Sequence, residues 1–505
     1  MDAGDERSGS RAYWWNCRSS LSLLLLATFV IRALYAGQPI VENYVGRQIP
    51  TAMVARNLDR GSGFLRPTLD TAPFPNYFVV EPPVYESGVV ALKRATGLGL
   101  DEAGRIFSAL ATALAAWGLY MLARRREGTL VALAAVAAFA VFPLTIRYGR
   151  AFQPDALMLG AVVAGLASWD EYRSVGGWYW LVAGWLLLTL GFATKITAAF
   201  LLIPLWLVLA RTRSPRELIL VCSTLLPAAL WYVWASFLLA LGEGSRASAD
   251  NRLIWLGHFG PVALLEPETL KFVSWCLLVR AFTPVGAGLA LVGMFYRGAA
   301  RGRRDALWLV WGISAMLALA FLARKLHHEY YWLLIAPVVA VWIGRTVVLF
   351  AQNRRAGAAT LAAAFVVLSW VQVRSTWRTP TEWSGLEPAA DAVRATVPSD
   401  AWAVAPEALL FQADRRGCRL EYTLQAAARA AGEWGKKSSV KGPHDLIETY
   451  RHQGARYFAD LGSRADDPRR KGLHDFVRQR YKVIVDGPEV IIADLADSEM
   501  HWNAN

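Results

Sequence analysis

Several short segments place carboxylates, cations and imidazoles beside apolar runs. Glu42 closely follows the first such run. Arg47, Gln48 and Arg56 lie in RQIPTAMVARNL, Asp70 in RPTLD, and Glu81 in VVEPPVYESG. Arg105 sits in DEAGRIFSAL, and Arg147, Arg150 and Asp155 sit in RYGRAFQPDALML. Lys195 lies in GFATKITAAF, and Arg324, Lys325, His327, His328, Tyr330 and Tyr331 crowd RKLHHEYYWLL. Ionisable groups near hydrocarbon are costly unless they are paired or used. Arg and Lys can neutralise phosphate oxygens. A carboxylate can take a proton from an attacking hydroxyl. Stabilising a departing lipid phosphate would help break a glycosidic bond. The inventory therefore suits a substrate with a phosphate and an apolar tail.

Each residue also has a plainer reading. Glu42 can mark the water boundary after a helix. Asp70, near Pro67 and Pro73, can hold a turn. Glu81 precedes two prolines, so its backbone is extended and stiff, which favours a functional role. Arg47 and Arg56 can anchor at the interface, and Lys195 can snorkel to headgroups. Asp155 follows Pro154 and can start a helix. The His-His-Glu-Tyr-Tyr run can belong to an aromatic belt with Glu329 at a helix start, yet its added cations exceed what a belt needs. Metal binding by His327 and His328 is poorly supported, because adjacent residues point to different faces of a helix.

The elements that must position these groups are membrane helices. Of 505 residues, 55% are hydrophobic and 18% charged, and the mean hydropathy is +0.30. A soluble chain of this size would need more charge. The 22 tryptophans suit membrane interfaces. The net charge of +13 comes largely from Arg clusters between apolar runs, which points to topology and not to nucleic acid. Cys17, Cys222, Cys276 and Cys418 form no disulfide or zinc pattern.

Span-length apolar runs fall near 20–36, 103–123, 128–146, 153–169, 177–194, 197–211, 217–241, 272–296, 305–323, 330–350 and 357–374. The expected fold is an all-α polytopic membrane protein with about eleven transmembrane helices. The first run is read as a helix and not as a cleaved signal, since no clear cleavage site follows it. With the N-terminus cytoplasmic, the inner loops hold Arg124–Arg126, Arg173, Arg211, Arg213, Arg216, Arg297, Arg301, Arg303, Arg304, Arg354 and Arg355. This repeated positive-inside pattern places 375–505 outside the cytoplasmic membrane. Two domains are expected. One is a transmembrane domain, 1–374, with a long first outer loop (37–102) carrying helical stretches near 46–59 and 84–96. The other is a small extracytoplasmic α/β domain, 375–505, where strand-length runs alternate with helical ones. A second outer loop is expected near 242–271.

This order of one span, a long outer loop with two helices, many spans and an outer α/β domain resembles the GT-C fold of polyprenyl-phosphate-sugar-dependent glycosyltransferases. It is most similar to bacterial relatives of protein O-mannosyltransferases and aminoarabinose transferases. The segments carrying the resemblance are RQIPTAMVARNL, FVVEPPVYESGVVALKRATGLGLDEAGRIFSAL, FPLTIRYGRAFQPDALML, LGFATKITAAF and HHEYYWLLIAPVVA. The resemblance implies inversion at the sugar carbon, with a carboxylate of the first outer loop as base and basic residues on the lipid phosphate. Glu42 fits the acidic position after the first span, although the family often has Asp there. Glu81 matches the acidic residue before a proline, and Asp155 matches a Pro-Asp pattern. The catalytic candidates are thus Glu42 and Glu81, then Asp70 and Asp155. The phosphate-binding candidates are Arg47, Arg105, Arg150, Lys195, His327, His328, Tyr330 and Tyr331.

The expected function is transfer of a sugar from an undecaprenyl-type phosphate carrier to a lipid, glycan or protein acceptor at the outer membrane face. No cofactor is expected, since the lipid-phosphate sugar is itself the substrate, and no metal is indicated. Expected partners are membrane lipids, the lipid-linked sugar and the acceptor, but not nucleic acid. The rival readings are an oligosaccharide ligase or oligosaccharyltransferase, a lipid or glycan transporter, and an inactive scaffold. Transporters gather ionisable groups at the midplane of related halves, whereas this sequence places them near one face.

Overall fold

In the computed structural model, residues 5–204, 215–242, 248, 260–296, 306–326, 328–434, 440–462 and 468–496 are described. His327, most of the second outer loop and the Arg211–Arg213 and Arg297–Arg304 stretches lie outside them. Packing divides the chain into two units. The first comprises Met1–Ala36, Ala91–Tyr232 and Trp255–Trp377; the second comprises Gly37–Val90, Val233–Ile254 and Arg378–Asn505. A single cut near residue 374 therefore does not describe the organisation. The first outer loop up to Val90 packs with the C-terminal part, and Ala91–Thr96 with the helical part.

The first unit is helical. Its N-terminal helices are α1 (Asp5–Ala33), then, after the α2 and α3 helices of the first outer loop (Val45–Asp59 and Val84–Thr96), α4 (Leu100–Glu127), α5 (Thr129–Val141), α6 (Pro143–Arg150), α7 (Asp155–Val175) and α8 (Trp178–Thr194). Small residues let these helices approach closely. A Cβ on Gly118 of α4 would lie 2.7 Å from the Ala164 nitrogen of α7, and one on Gly160 of α7 would lie 2.3 Å from the Ala111 carbonyl oxygen of α4. The later helices Pro284–Phe295 and Ala336–Asn353 meet in the same way, where a Cβ on Gly293 would lie 1.8 Å from the Trp342 carbonyl oxygen.

Several expected spans are broken. α5 and α6 meet at a bend of 63°. Pro143 has no N–H to give to the Phe139 carbonyl four residues back. The Thr145 hydroxyl donates to that carbonyl instead, at 2.5 Å, while Arg32 of α1 donates to the Ala140 carbonyl at 3.2 Å and to the Thr145 carbonyl at 2.9 Å. The break is thus built into the bundle, with freed backbone acceptors satisfied by a neighbouring helix. A second pair, Pro267–Ala281 with Pro284–Phe295, is bent by 95°. Residues Cys276–Ala281 form a π-turn, and the Thr283 side chain caps the following helix by accepting from the Gly286 N–H. Among the described residues, three helices are long and apolar enough to cross a membrane, or up to six if each bent pair crosses once. The expected eleven runs include broken segments, shorter apolar helices such as Ala306–Phe321, and stretches outside the described residues.

The second unit holds a five-stranded sheet of β1 (Ala403–Ala405), β2 (Gly417–Arg419), β3 (Tyr457–Leu461), β4 (Lys482–Asp486) and β5 (Val490–Asp494), in the order β2-β1-β3-β5-β4. β1 runs parallel to β2 and β3, and β5 is antiparallel to β3 and β4. β1 and β3 are buried along their whole length, as expected for parallel strands covered on both faces. The first outer loop joins this sheet. Thr71 bridges to Gly417 in parallel, the Ala72 N–H donates to the Gly417 carbonyl at 2.7 Å, and the Gly417 N–H donates to the Asp70 carbonyl at 3.0 Å.

The glycine contacts give a direct check of the helix packing. Gly160→Val should destabilise the protein by about 1–3 kcal/mol through overpacking. Gly46→Ala, where an added Cβ meets nothing within 4 Å, should leave thermal unfolding in detergent unchanged or slightly raised.

Candidate functional site

In the first unit, chain ends and helix breaks deliver a connected set of charged and aromatic side chains. α8 ends at Thr194, so Lys195 leaves the helix in an extended conformation. Its Nζ lies 2.7 Å from Asp155 Oδ1, and both side chains are buried. Asp155 is the first residue of α7, where a negative charge also favours the helix N-terminus. Lys195 Nζ lies 4.2 Å from the ring centre of Tyr330 and 5.0 Å from that of Tyr331. His328 stacks on Tyr330, and Tyr148 of α6 meets Tyr330 edge-on.

The same set continues through Glu329. Its Oε2 accepts from Arg147 of α6 at 2.8 Å and from the Tyr148 hydroxyl at 3.4 Å, while its Oε1 accepts from Arg280 at 2.6 Å. Arg280 comes from the π-turn at the sharply bent helix pair. Three cations thus face two carboxylates, with an imidazole beside them, and the balance favours an anion. Among the described residues, Arg147 Nη2, Asp155 Oδ2 and both amide atoms of Gln153 are buried with no hydrogen-bond partner. Buried polar atoms are rarely left so unless a ligand or water meets them.

In the same unit, a cavity of about 730 Å³ is lined by apolar residues including Leu277, Leu278, Phe282, Met294, Met316 and Trp342. Leu277 and Leu278 share the π-turn with Arg280. Ile335, at the far end of the 3-10 turn that begins with Glu329, also lines it.

Two candidate phosphate ligands are occupied otherwise. Arg150 donates to the carbonyls of Arg32, Leu34, Tyr35 and Thr376, so its guanidinium ties the end of α1 to the chain beyond the Arg355–Val373 helix. Arg105 donates to the Ala36 carbonyl at 2.7 Å. Both are buried, and both hold backbone in place.

In the second unit the first-loop carboxylates separate into distinct settings. Glu81 is ion-paired to Arg47, whose guanidinium lies 5.4 Å from the Phe78 ring centre. Asp70 accepts from Arg56 at 2.6 Å and from Asn57 at 3.2 Å. Arg56 also donates to the Phe411 carbonyl at 2.6 Å and pairs with Asp414 at 3.1 Å. Asp70 thus ties the loop to the C-terminal layer through Arg56, which also reaches Asp414. Glu42 is buried, and its backbone carbonyl accepts from Gln48 Nε2 at 2.6 Å.

Sequence reasoning missed Arg280, Glu329 and Glu86. Arg280 was hidden in an apolar run, where a lone charge was itself the signal. Glu329 was read as a helix start. Glu86, in the first turn of α3, is only 5% exposed. Burial raises its pKa to about 8, with Arg47 opposing the shift and Glu81 adding to it.

Comparisons with known proteins agree with this architecture. Residues 97–237 match the Dolichyl-phosphate-mannose-protein mannosyltransferase family. A protein of Bacillus subtilis (strain 168) named "Putative mannosyltransferase YkcB" is 26% identical over 103 residues, which is 20% of this chain and 14% of that relative. The structure of ArnT from Cupriavidus metallidurans bound to undecaprenyl phosphate is similar with a TM-score of 0.57 at 14% identity, covering 94% of this chain and 97% of that one. The oligosaccharyltransferase AglB from Archaeoglobus fulgidus, in complex with an inhibitory peptide and a dolichol-phosphate, gives 0.58 at 12% identity, covering 89% and 70%. At these identities the structural likeness is one of fold.

The Asp155–Lys195 pair yields a stability prediction. Asp155→Asn or Lys195→Met alone should cost about 3–5 kcal/mol by leaving a buried charge unpaired, and the double variant should recover most of it. A double-mutant cycle on thermal or denaturant unfolding measures the coupling.

Proposed function

Because the chain has the GT-C fold, we propose that it is an integral-membrane glycosyltransferase. It moves a sugar from an undecaprenyl-type phosphate carrier to a lipid, glycan or protein acceptor at the outer face of the cytoplasmic membrane. Its N-terminus is cytoplasmic and residues 375–505 are extracytoplasmic. The observation that carries this reading is the apolar cavity whose lining turn also supplies Arg280 to the cluster with Glu329, Arg147 and Lys195. A prenyl tail gains about 0.8 kcal/mol for each CH₂ it buries. Its phosphate meets guanidinium and ammonium groups already held in place by Glu329 and Asp155, so little ordering is left for the moment of reaction. The fold likeness to structures bound to undecaprenyl phosphate and dolichol-phosphate supports the same carrier chemistry.

In this mechanism the acceptor oxygen attacks the sugar carbon from the side opposite the phosphate, inverting it. Cations of the first unit stabilise the phosphate as it leaves. A carboxylate of the first outer loop takes the acceptor proton. Glu42 and Glu81 carry that expectation from the family resemblance, and Arg47 orients Glu81 through their ion pair. The reaction needs no nucleotide.

The fold likeness to the archaeal oligosaccharyltransferase favours a second reading, transfer of a whole glycan in one step. Offering single-sugar and oligosaccharide lipid donors to the purified protein separates the two by which sugar appears on the product.

Undecaprenyl phosphate should raise the melting temperature of the protein in nanodiscs, and undecaprenol should raise it far less. Arg280→Ala should weaken undecaprenyl phosphate binding by about tenfold or more, the loss expected for one charge-assisted contact. Equal stabilisation by the alcohol and the phosphate would contradict a cationic headgroup site.

A further inference from the structure

We propose that the second unit carries a sugar-binding subsite at the amino ends of β1 and β3, which holds a glycan substrate. The proposal rests on the transferase reading for the class of ligand. It adds a recognition site separate from the cations offered to the lipid phosphate.

A cavity of about 380 Å³ lies here, and its lining includes Pro398, Asp400, Trp402, Gln453, Arg456 and Tyr457. Pockets for small ligands run from roughly 300 to 1,000 Å³, so the space takes a short sugar segment. Its walls are the turns that lead into the neighbouring parallel strands β1 and β3. The Trp402 carbonyl accepts from the Arg456 N–H at 3.0 Å and from the Tyr457 N–H at 3.2 Å, which ties the walls together. Gly454, with φ of 104°, makes the left-handed turn between the Pro443–His452 helix and β3. Phe74 of the first outer loop meets Trp402 edge-on, with ring centres 5.1 Å apart, and Arg416 lies over the Phe74 ring. The indole is therefore held in place before a ligand arrives.

The side chains suit a sugar. Trp402 is partly exposed and offers a flat apolar face to the C–H face of a pyranose ring, with an N–H at its edge. Asp400, Gln453 and Arg456 are exposed. The carboxylate only accepts, the guanidinium only donates, and the amide does both. A sugar hydroxyl donates and accepts, so this mixed set serves neighbouring hydroxyls. Among the described residues, the Asp400 carboxylate, the Gln453 amide and the Trp402 indole N–H form no hydrogen bond. A ligand meets them without first breaking a bond inside the protein.

Other ligand classes fit less well. Arg456 Nη2 lies 3.9 Å from Asp494 Oδ2, and Asp400 lines the same cavity, so the local charge does not favour a phosphate. An extended peptide is recognised largely through main-chain hydrogen bonds. The N–H groups of Ala401, Gln453, Gly454, Arg456 and Tyr457 are already given to carbonyls within the unit. The cavity offers side chains instead.

The test uses the full-length protein in nanodiscs. The probes are fluorescently labelled short oligosaccharides released by partial acid hydrolysis of the host's envelope polysaccharide. Binding is read by anisotropy with no donor lipid present. Wild type should bind some of these sugars with a Kd in the millimolar range or below. Asp400→Ala should weaken that binding by about tenfold, the loss expected for one charge-assisted hydrogen bond, and Gln453→Ala several-fold. Trp402→Ala should abolish it. Trp402 also packs against Phe74, whereas Asp400 and Gln453 are exposed, so the latter two variants should melt as wild type does while binding less. Absence of sugar binding by wild type overturns the subsite, as does equal binding by Asp400→Ala and Gln453→Ala. Displacement of the labelled sugars by inorganic phosphate, or by glycan-free tryptic peptides of the host envelope, but not by unlabelled sugars, also overturns it. The readout needs no turnover. A deletion strain with unchanged envelope glycans overturns the transferase reading, whereas sugar binding that Asp400→Ala weakens supports the subsite in either case.

Discussion

A charge buried among apolar helices must meet an opposite charge or hydrogen-bonding groups, or it costs the fold several kcal/mol. In the first unit this requirement joins distant parts of the chain. Lys195 and Asp155 are 40 positions apart, and Arg147 and Glu329 are 182 apart. Each pair fixes a helix end. Asp155 opens α7, Lys195 closes α8, Arg147 lies on the short α6, and Glu329 begins the turn leading into the Ala336–Asn353 helix. The pairs therefore do more than neutralise one another. They set where four elements stop and start, and they keep three cations close together with fewer carboxylates than would cancel them.

Backbone breaks make that arrangement available. An unbroken helix points its side chains outward around its length and offers few groups at a single depth. A break frees backbone groups that hydrocarbon cannot satisfy, so it persists only where other side chains supply partners. Thr145 and Arg32 do this at the α5–α6 bend, and Thr283 caps the helix that follows the π-turn. The first break orients Arg147 and Tyr148, and the second presents Arg280 beside the apolar cavity. Proline placement, capping hydroxyls and buried arginines thus belong to one device.

Much of this was legible in sequence, but unevenly. The apolar runs and the two helices between residues 37 and 102 followed from composition and periodicity. Asp155, Lys195, Tyr330 and Tyr331 stood out because ionisable and aromatic residues at helix ends are informative, and the structure brings them together. The partner of Arg147 was not legible, since an ion pair spanning 182 positions leaves no local pattern. Glu329 looked like a helix start because the identity of its two arginines depends on tertiary folding. Arg150 and Arg105 carried the same signal as Lys195, yet their donors go to backbone carbonyls. Asp70 stood out for its charge, but the Arg56 that joins it to Asp414 was not legible locally. Residue type announces a buried charge; only the fold decides whether that charge holds structure or remains for chemistry.

The unequal balance of cations and carboxylates is what the transferase account depends on, since it makes this cluster a place for a lipid phosphate. The most direct measurement is a cryo-EM structure of the full chain in nanodiscs with undecaprenyl phosphate added. The account predicts phosphate density within contact distance of Arg147, Lys195 or Arg280, with the prenyl chain along the cavity lined by Leu277, Leu278 and Met316. Phosphate density at a site that none of these three cations reaches would contradict it.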